Sequence, residues 1–97
     1  MRNIQVDKFP TKSQADFSRN YKHAQDCKRF FYKNINDIGI DHGEVYERLI
    51  DAYLDPQAIK ILKESLELDG WLDVKVEDAS TSDYAFKVTI SVTRPKE

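Results

Sequence analysis

Apolar residues recur with a helical period in the first two thirds of the chain and with a period of two in the last third. One apolar stripe of helical spacing is formed by Phe17, Tyr21, Ala24, Phe31 and Ile35. Ser13 and Asp16 are spaced as a capping pair. The pattern therefore predicts a first helix that begins near residue 13 and ends near residue 36.

Two further helices are predicted between residues 41 and 68. Asp41 is a good N-cap with Glu44 as its capping-box partner. The predicted buried face of the second helix comprises Val45, Tyr46, Leu49, Ile50 and Tyr53. Asp55-Pro56 ends this helix and starts the third, because proline fits the first helical position. The third helix extends to about Leu68, and Gly70 stops it.

After Gly70 the apolar positions alternate, which predicts an antiparallel hairpin with one buried face. The buried face consists of Leu72, Val74, Val76, Tyr84, Phe86, Val88, Ile90 and Val92. Near the N-terminus, Ile4 and Val6 indicate either an added strand or a flexible basic arm. We divide the chain into an arm or strand at 1–12, a folded domain at 13–93 and a tail at 94–97.

Charge is distributed unevenly along the chain. Residues 1–36 hold eight Lys or Arg and three Asp, whereas residues 37–97 hold seven Lys or Arg and fourteen Asp or Glu, so a segment of +5 precedes one of -7. The net charge of -2 conceals this division. A basic segment on an acidic body indicates a local anionic partner, since the field at a surface follows the local charge.

Composition excludes several classes of protein. The 97 residues suit one domain, and no apolar run approaches the roughly 18 residues of a membrane helix. The first residues lack the apolar core of a signal peptide, and the single Cys27 indicates a reducing, cytoplasmic setting. Cys27, His23 and His42 lack the spacing of a zinc site. No catalytic motif is present, so we expect neither an enzyme nor a cofactor.

The order of three helices followed by a hairpin resembles the winged helix-turn-helix family. The resemblance is strongest from Ala58 to Val76, where Gly70-Trp71-Leu72 is similar to the junction between the third helix and the wing, and Ile38-Gly39-Ile40 to the short first strand. It implies an α+β fold of three helices with a C-terminal two-stranded wing, and a function in binding double-stranded DNA.

A second resemblance concerns residues 39–54, which are similar to the turn and second helix of ribbon-helix-helix proteins. Those proteins bind DNA as dimers through a paired N-terminal strand. This alternative leaves the C-terminal hairpin without a role, so we favour the winged-helix resemblance. Under either resemblance we expect a homodimer on paired half-sites.

The first helix is the predicted DNA contact. Lys22, Arg29 and Lys33 share an arc of about 40° opposite the apolar stripe. The full predicted set is Lys12, Arg19, Asn20, Lys22, His23, Arg29 and Lys33. The third helix is acidic from Asp55 to Asp69, so its polar residues, Gln57, Lys60 and Lys63, are secondary candidates. Cations neutralise phosphate, while Arg and Asn read base edges.

We expect a sequence-specific DNA-binding regulator or accessory factor of a plasmid or phage, acting in replication, partition or conjugative DNA processing. The alternative is a small acidic interaction or inhibitor domain that binds a basic protein. Its predicted face comprises Glu44, Glu47, Asp51, Glu64, Glu67, Asp73, Glu77 and Asp78.

Overall fold

Two helices lie on one face of a three-stranded antiparallel sheet. The computed structural model describes residues 11–83 and 85–96. In chain order these form α1 (Lys12–Ile38), β1 (Val45–Asp51), α2 (Pro56–Leu68), β2 (Leu72–Asp78) and β3 (Lys87–Thr93). The strand order is β1-β3-β2, with β3 antiparallel to both neighbours.

The helices run parallel to each other with a nearly constant offset in sequence. Asn20 hydrogen-bonds Gln57, Lys28 hydrogen-bonds Ser65, and Tyr32 hydrogen-bonds Asp69, so each partner lies 37 positions further along the chain. At 1.5 Å per residue α1 is about 40 Å long and α2 about 20 Å. The first turns of α1 therefore extend past the start of α2.

The core lies between the helices and the sheet. Its largest fully buried side chains are Phe31, Leu62, Leu66, Ile90, Val88 and Val92. Alternate residues of β3 point inward, as the period of two predicts. Phe17 and Tyr21 belong to the predicted stripe of α1 but are 48% and 49% exposed. Phe17 precedes the level at which α2 begins.

The predicted second helix is wrong, because residues 45–51 form β1. Tyr46 and Ile50 are buried, and a spacing of four places two residues on one face of either a helix or a strand. The other residues of the predicted helical face, Val45, Leu49 and Tyr53, are 65%, 58% and 59% exposed. Pairing with β3 decides between the two structures.

A turn replaces the predicted start of that helix. Glu44 Oε1 accepts a hydrogen bond from Asp41 N at 2.7 Å, which is half of a capping box. Glu44 N also donates to Asp41 O at 3.1 Å, and Gly43 has φ +83°. The left-handed conformation of Gly43 directs the chain into β1 instead of a helical turn.

The ends of α1 also differ from the prediction. Thr11 is the N-cap, forming a capping box with Gln14, so the predicted Ser13–Asp16 pair is not the cap. At the other end Ile38 is still helical and Gly39 has φ +79°. The predicted strand at 38–40 is therefore absent from the described residues.

The predicted hairpin forms, but Leu72 and Phe86, which were predicted to be buried, are exposed. The register shifts between Leu72 and Lys75, which pair with Thr93 and Ser91, so β2 has one extra residue there. Leu72 is consequently 51% exposed instead of buried. Phe86 has φ +61° and is 60% exposed. Tyr84, predicted on the buried face, lies outside the described residues.

The winged-helix fold class is therefore contradicted, although the coarser α+β class holds. The described residues contain two helices and three strands, whereas the prediction had three helices and a two-stranded wing. The ribbon-helix-helix alternative also needs a helix where β1 lies. The predicted strand or arm around Ile4 and Val6 falls outside the described residues.

Candidate nucleic-acid interface

Three of the predicted cations project from the solvent side of α1. Lys22, Arg29 and Lys33 are all exposed, with side-chain exposures of 78% for Lys22 and 76% for Arg29. They follow one line along the helix, because their spacings of seven and four residues return to the same face. The outermost two are separated by eleven residues, or about 16 Å along the axis. We call these three residues the outer ridge.

One acid interrupts the outer ridge. Asp26 Oδ1 lies 2.9 Å from Arg29 Nη1, and Asp26 Oδ2 lies 3.9 Å from Lys22 Nζ. Both contacts are solvent-exposed pairs on one helix, which contribute about 0.3–0.5 kcal/mol each. A phosphate can replace so weak a partner. Lys33 has no acid within 4.0 Å among the described residues.

Lys12 and Arg19 lie on α1 away from the outer ridge and are paired within the chain. Lys12 Nζ is 2.9 Å from Asp16, and Arg19 Nη2 is 2.8 Å from Asp55. Asp55 occupies the N-cap position of α2 but makes no side-chain cap hydrogen bond there. The Arg19 pair therefore links the two helices instead of presenting a free cation.

Asn20 is buried and cannot contact a base, whereas its partner Gln57 is exposed. Asn20 is 3% exposed, and its Nδ2 donates to Gln57 Oε1 at 2.8 Å. Asn20 Oδ1 has no hydrogen-bond partner among the described residues. Both side chains belong to the helix–helix interface, where an amide pair replaces the apolar contacts that the stripe of α1 predicts.

The remaining predicted residues lie apart from the outer ridge. His23 is exposed and borders a groove beside β1. Lys60 and Lys63 are on α2, where Lys63 Nζ pairs with Glu67 at 2.7 Å. The secondary candidates are thus separated from the outer ridge by the contact between the two helices.

Sequence reasoning missed a polar cluster that joins the helices near the end of α2. Lys28 Nζ donates to Ser65 Oγ at 2.7 Å and Asp69 Oδ2 at 2.8 Å. Tyr32 Oη donates to the same carboxylate oxygen at 2.6 Å and accepts from Trp71 Nε1 at 2.8 Å. We call Lys28, Ser65, Tyr32, Asp69 and Trp71 the interhelical cluster. No motif marks it, because its members meet only once the two helices are aligned.

The interhelical cluster shifts the pKa values of its own members. Hydrogen bonds from Lys28 and Tyr32 hold the pKa of Asp69 below its ordinary value. Burial, followed by the hydrogen bond to Asp69, raises the pKa of Tyr32 well above its usual 10. Tyr32 is therefore a neutral donor at physiological pH, and the cluster supports structure instead of proton transfer.

Chemical reactivity and metal binding find little support in the described residues. Burial raises the pKa of the Cys27 thiol to about 11, which disfavours the nucleophilic thiolate at neutral pH. His42 Nδ1 lies 3.2 Å from Pro95 O. His42 is also distant from Cys27 in the sequence. Within the described ranges, no group of three potential metal ligands occurs. None of the described helices has the length and apolarity needed to cross a membrane.

Comparison with known proteins gives no relative from which a function can be inferred. No protein-family model, curated protein sequence or solved structure matches the chain. The family resemblance itself is neither supported nor refuted by these comparisons. Any function must therefore be argued from the geometry of the chain alone.

Proposed function

We propose that this domain binds double-stranded DNA through the outer ridge of α1. The observation that supports the proposal is the alignment of three exposed cations, Lys22, Arg29 and Lys33, on a helix whose opposite side is buried. α1 carries six Lys or Arg and three Asp, so it has a net charge of +3. α2 carries two Lys and two Glu, so it has no net charge.

The dimensions of α1 suit this role. The outer ridge covers about 16 Å of a helix, and the major groove of DNA, about 12 Å wide, admits an α-helix. Three phosphate contacts give a dependence of log K on log salt of about -2.7. Such binding is weak for a single domain, so a homodimer on paired half-sites remains part of the proposal. Sequence specificity, a plasmid or phage role and a cytoplasmic location also remain predictions.

The test is DNA binding at several salt concentrations, measured by fluorescence anisotropy with a mixed-sequence duplex. Lys22→Gln and Lys33→Gln are each expected to lower the salt slope by about one. Asp26→Asn is expected to act in the opposite direction and strengthen binding, because it removes the one acid from the outer ridge. Lys60→Gln, an exposed cation on α2, is the matched control and is expected to leave the slope unchanged.

Three results would reject the proposal. One is binding that does not respond to salt or to the outer-ridge variants, and a second is a larger loss in Lys60→Gln than in Lys22→Gln. No binding at low salt would also reject it and would favour the protein-interaction alternative.

One observation supports a protein-interaction role as the second candidate. The face of the sheet turned away from the helices exposes Val45, Leu49 and Leu72 by 65%, 58% and 51%. The predicted acidic face is divided, however, because Glu64 and Glu67 lie on α2 while Glu47, Asp51 and Glu77 lie on the strands. An interaction domain of this kind would recognise apolar side chains instead of a basic surface.

A further inference from the structure

A cavity lies where the two helices end. Its volume is about 560 Å³, within the range of about 300–1,000 Å³ that is typical of small-molecule sites. Tyr32 and Asn36 line it from α1, Trp71 from the link between α2 and β2, and Arg94 from the residues that follow β3. We call it the helix-end cavity.

The aromatic wall of the helix-end cavity belongs to the interhelical cluster. The rings of Tyr32 and Trp71 have centroids 6.2 Å apart and are tilted by 48°. Their polar atoms are already engaged, because Tyr32 Oη donates to Asp69 and accepts from Trp71 Nε1. A ligand in the cavity would therefore meet these two residues mainly through their ring surfaces.

Arg94 supplies the helix-end cavity with a cation. Its Nη1 donates to Ile40 O, which anchors one end of the guanidinium. No Asp or Glu lies within 4.0 Å of it among the described residues. A guanidinium has five N–H donors, so further donors are available to a ligand.

The carboxylate at the helix-end cavity does not cancel this cation. Asp69 Oδ2 lies 2.8 Å from Lys28 Nζ, so Lys28 neutralises its charge. Lys28, Asp69 and Arg94 together carry a charge of +1, which favours an anionic ligand over a cationic one.

We propose that the helix-end cavity binds a nucleotide, with its base against the rings of Tyr32 and Trp71 and its phosphate on Arg94. Aromatic side chains stack on nucleobases, and a guanidinium binds phosphate through paired hydrogen bonds. The exposed Asn36 adds an amide donor and acceptor for the edge of the base. The site is separate from the outer ridge, which has cations but no aromatic ring, so it does not depend on DNA binding.

The experiment uses Trp71 as the probe, because it is the single tryptophan of the chain and borders the helix-end cavity. The full chain is titrated with adenosine monophosphate, adenosine and ribose phosphate while Trp71 emission is recorded. We expect adenosine monophosphate to quench the emission saturably. We also expect it to bind about tenfold more tightly than the other two compounds, since each of them lacks one half of the recognised chemistry.

Two variants separate the phosphate contact from general attraction of an anion. Arg94→Gln is expected to weaken binding of adenosine monophosphate by about tenfold and to leave adenosine binding unchanged. Lys96→Gln removes the same charge two residues further along and is the matched control, expected to bind as the unmodified chain does. Because Arg94 also bonds Ile40, circular dichroism is used to check that Arg94→Gln is folded.

A measurement on the unmodified chain accompanies the variants. With adenosine monophosphate, the NMR signals of the Trp71 indole N–H and the Asn36 side-chain amide are expected to shift more than the backbone amide of Lys22 on the outer ridge. This comparison stands even if Arg94→Gln does not fold.

Any of four results would overturn the proposal. The first is no saturable quenching by adenosine monophosphate at millimolar concentrations. The second is an equal loss in Arg94→Gln and Lys96→Gln, which would indicate general charge attraction. The third is a set of NMR shifts that is largest on the outer ridge. The fourth is quenching by a terminally phosphorylated oligothymidylate but not by adenosine monophosphate, which would assign the cavity to the end of a DNA strand instead of a free nucleotide.

Discussion

The two flanks of α1 differ in how completely they are covered. On one flank α2 lies alongside, and Asn20 and the interhelical cluster form hydrogen bonds at a constant offset in sequence. On the other flank the sheet ends at β1, and Phe30 faces the open groove. On one flank of α1, therefore, most polar groups have hydrogen-bond partners on α2. On the other flank, no described element covers Phe30 beside the groove.

The difference shows why charge along a sequence is a poor guide to charge at a surface. Lys28 and Arg19 form ion pairs with Asp69 and Asp55, which lie at the two ends of α2. The outer ridge lies between the two flanks and meets neither α2 nor the sheet. Of the six cations on α1, Lys12 and the three of the outer ridge remain largely exposed, so less of the charge of α1 is available to a partner than the sequence indicates.

The largest expected effect separates two adjacent phenylalanines. Phe31 is fully buried and Phe30 is 50% exposed at the groove. Phe31→Ala is expected to lower the free energy of unfolding by about 3–5 kcal/mol, because it leaves a cavity in the core. Phe30→Ala is expected to cost about 1 kcal/mol. Urea denaturation of both variants measures the difference, and equal losses would mean that the two flanks are equally packed.

An intermediate effect is expected to separate two aspartates, Asp69 with two hydrogen-bond donors and Asp26 with two exposed ion pairs. Asp69→Ala leaves Lys28 and Tyr32 without their shared acceptor in a half-buried site, which is expected to cost about 1–3 kcal/mol. Asp26→Ala removes two exposed ion pairs on the outer ridge and is expected to change stability by less than about 1 kcal/mol. Chemical denaturation of the two variants provides the comparison, and a larger loss for Asp26→Ala would contradict it.

Local signals predicted the elements that depend on local chemistry. The Asp55-Pro56 start of α2, its end before Gly70 and the alternation of β3 are all as the pattern indicates. β1 was not predictable in this way, since Tyr46 and Ile50 satisfy both periods and the deciding contact with β3 lies more than 35 residues away. The missing strand changes the fold class, although most of the buried residues were correctly predicted.

For the candidate site, too, features that depend on local helix geometry were predictable and features that depend on distant contacts were not. The arc of Lys22, Arg29 and Lys33 follows from helical geometry alone, so it was predictable. The burial of Asn20 beside Gln57 and the pairing of Arg19 with Asp55 depend on how α2 docks on α1. A helical wheel describes one helix and contains no information on where its neighbour lies.

The smallest expected effect is the pH dependence of the closed flank. Lys28 and Tyr32 hold the pKa of Asp69 below its ordinary value in the folded chain, so the folded state binds that proton less readily than the unfolded state does. The stabilisation is therefore complete above the unfolded pKa of about 3.9 and is lost as the pH falls through the lower folded value. Because the Asp69 side chain is 38% exposed, solvent screens the interaction and only part of the Asp69→Ala loss titrates. The stability difference between the unmodified chain and Asp69→Asn, measured by urea denaturation, is expected to narrow from pH 6 to pH 3. A constant difference over this range would show that the carboxylate charge contributes nothing to the contact between α1 and α2.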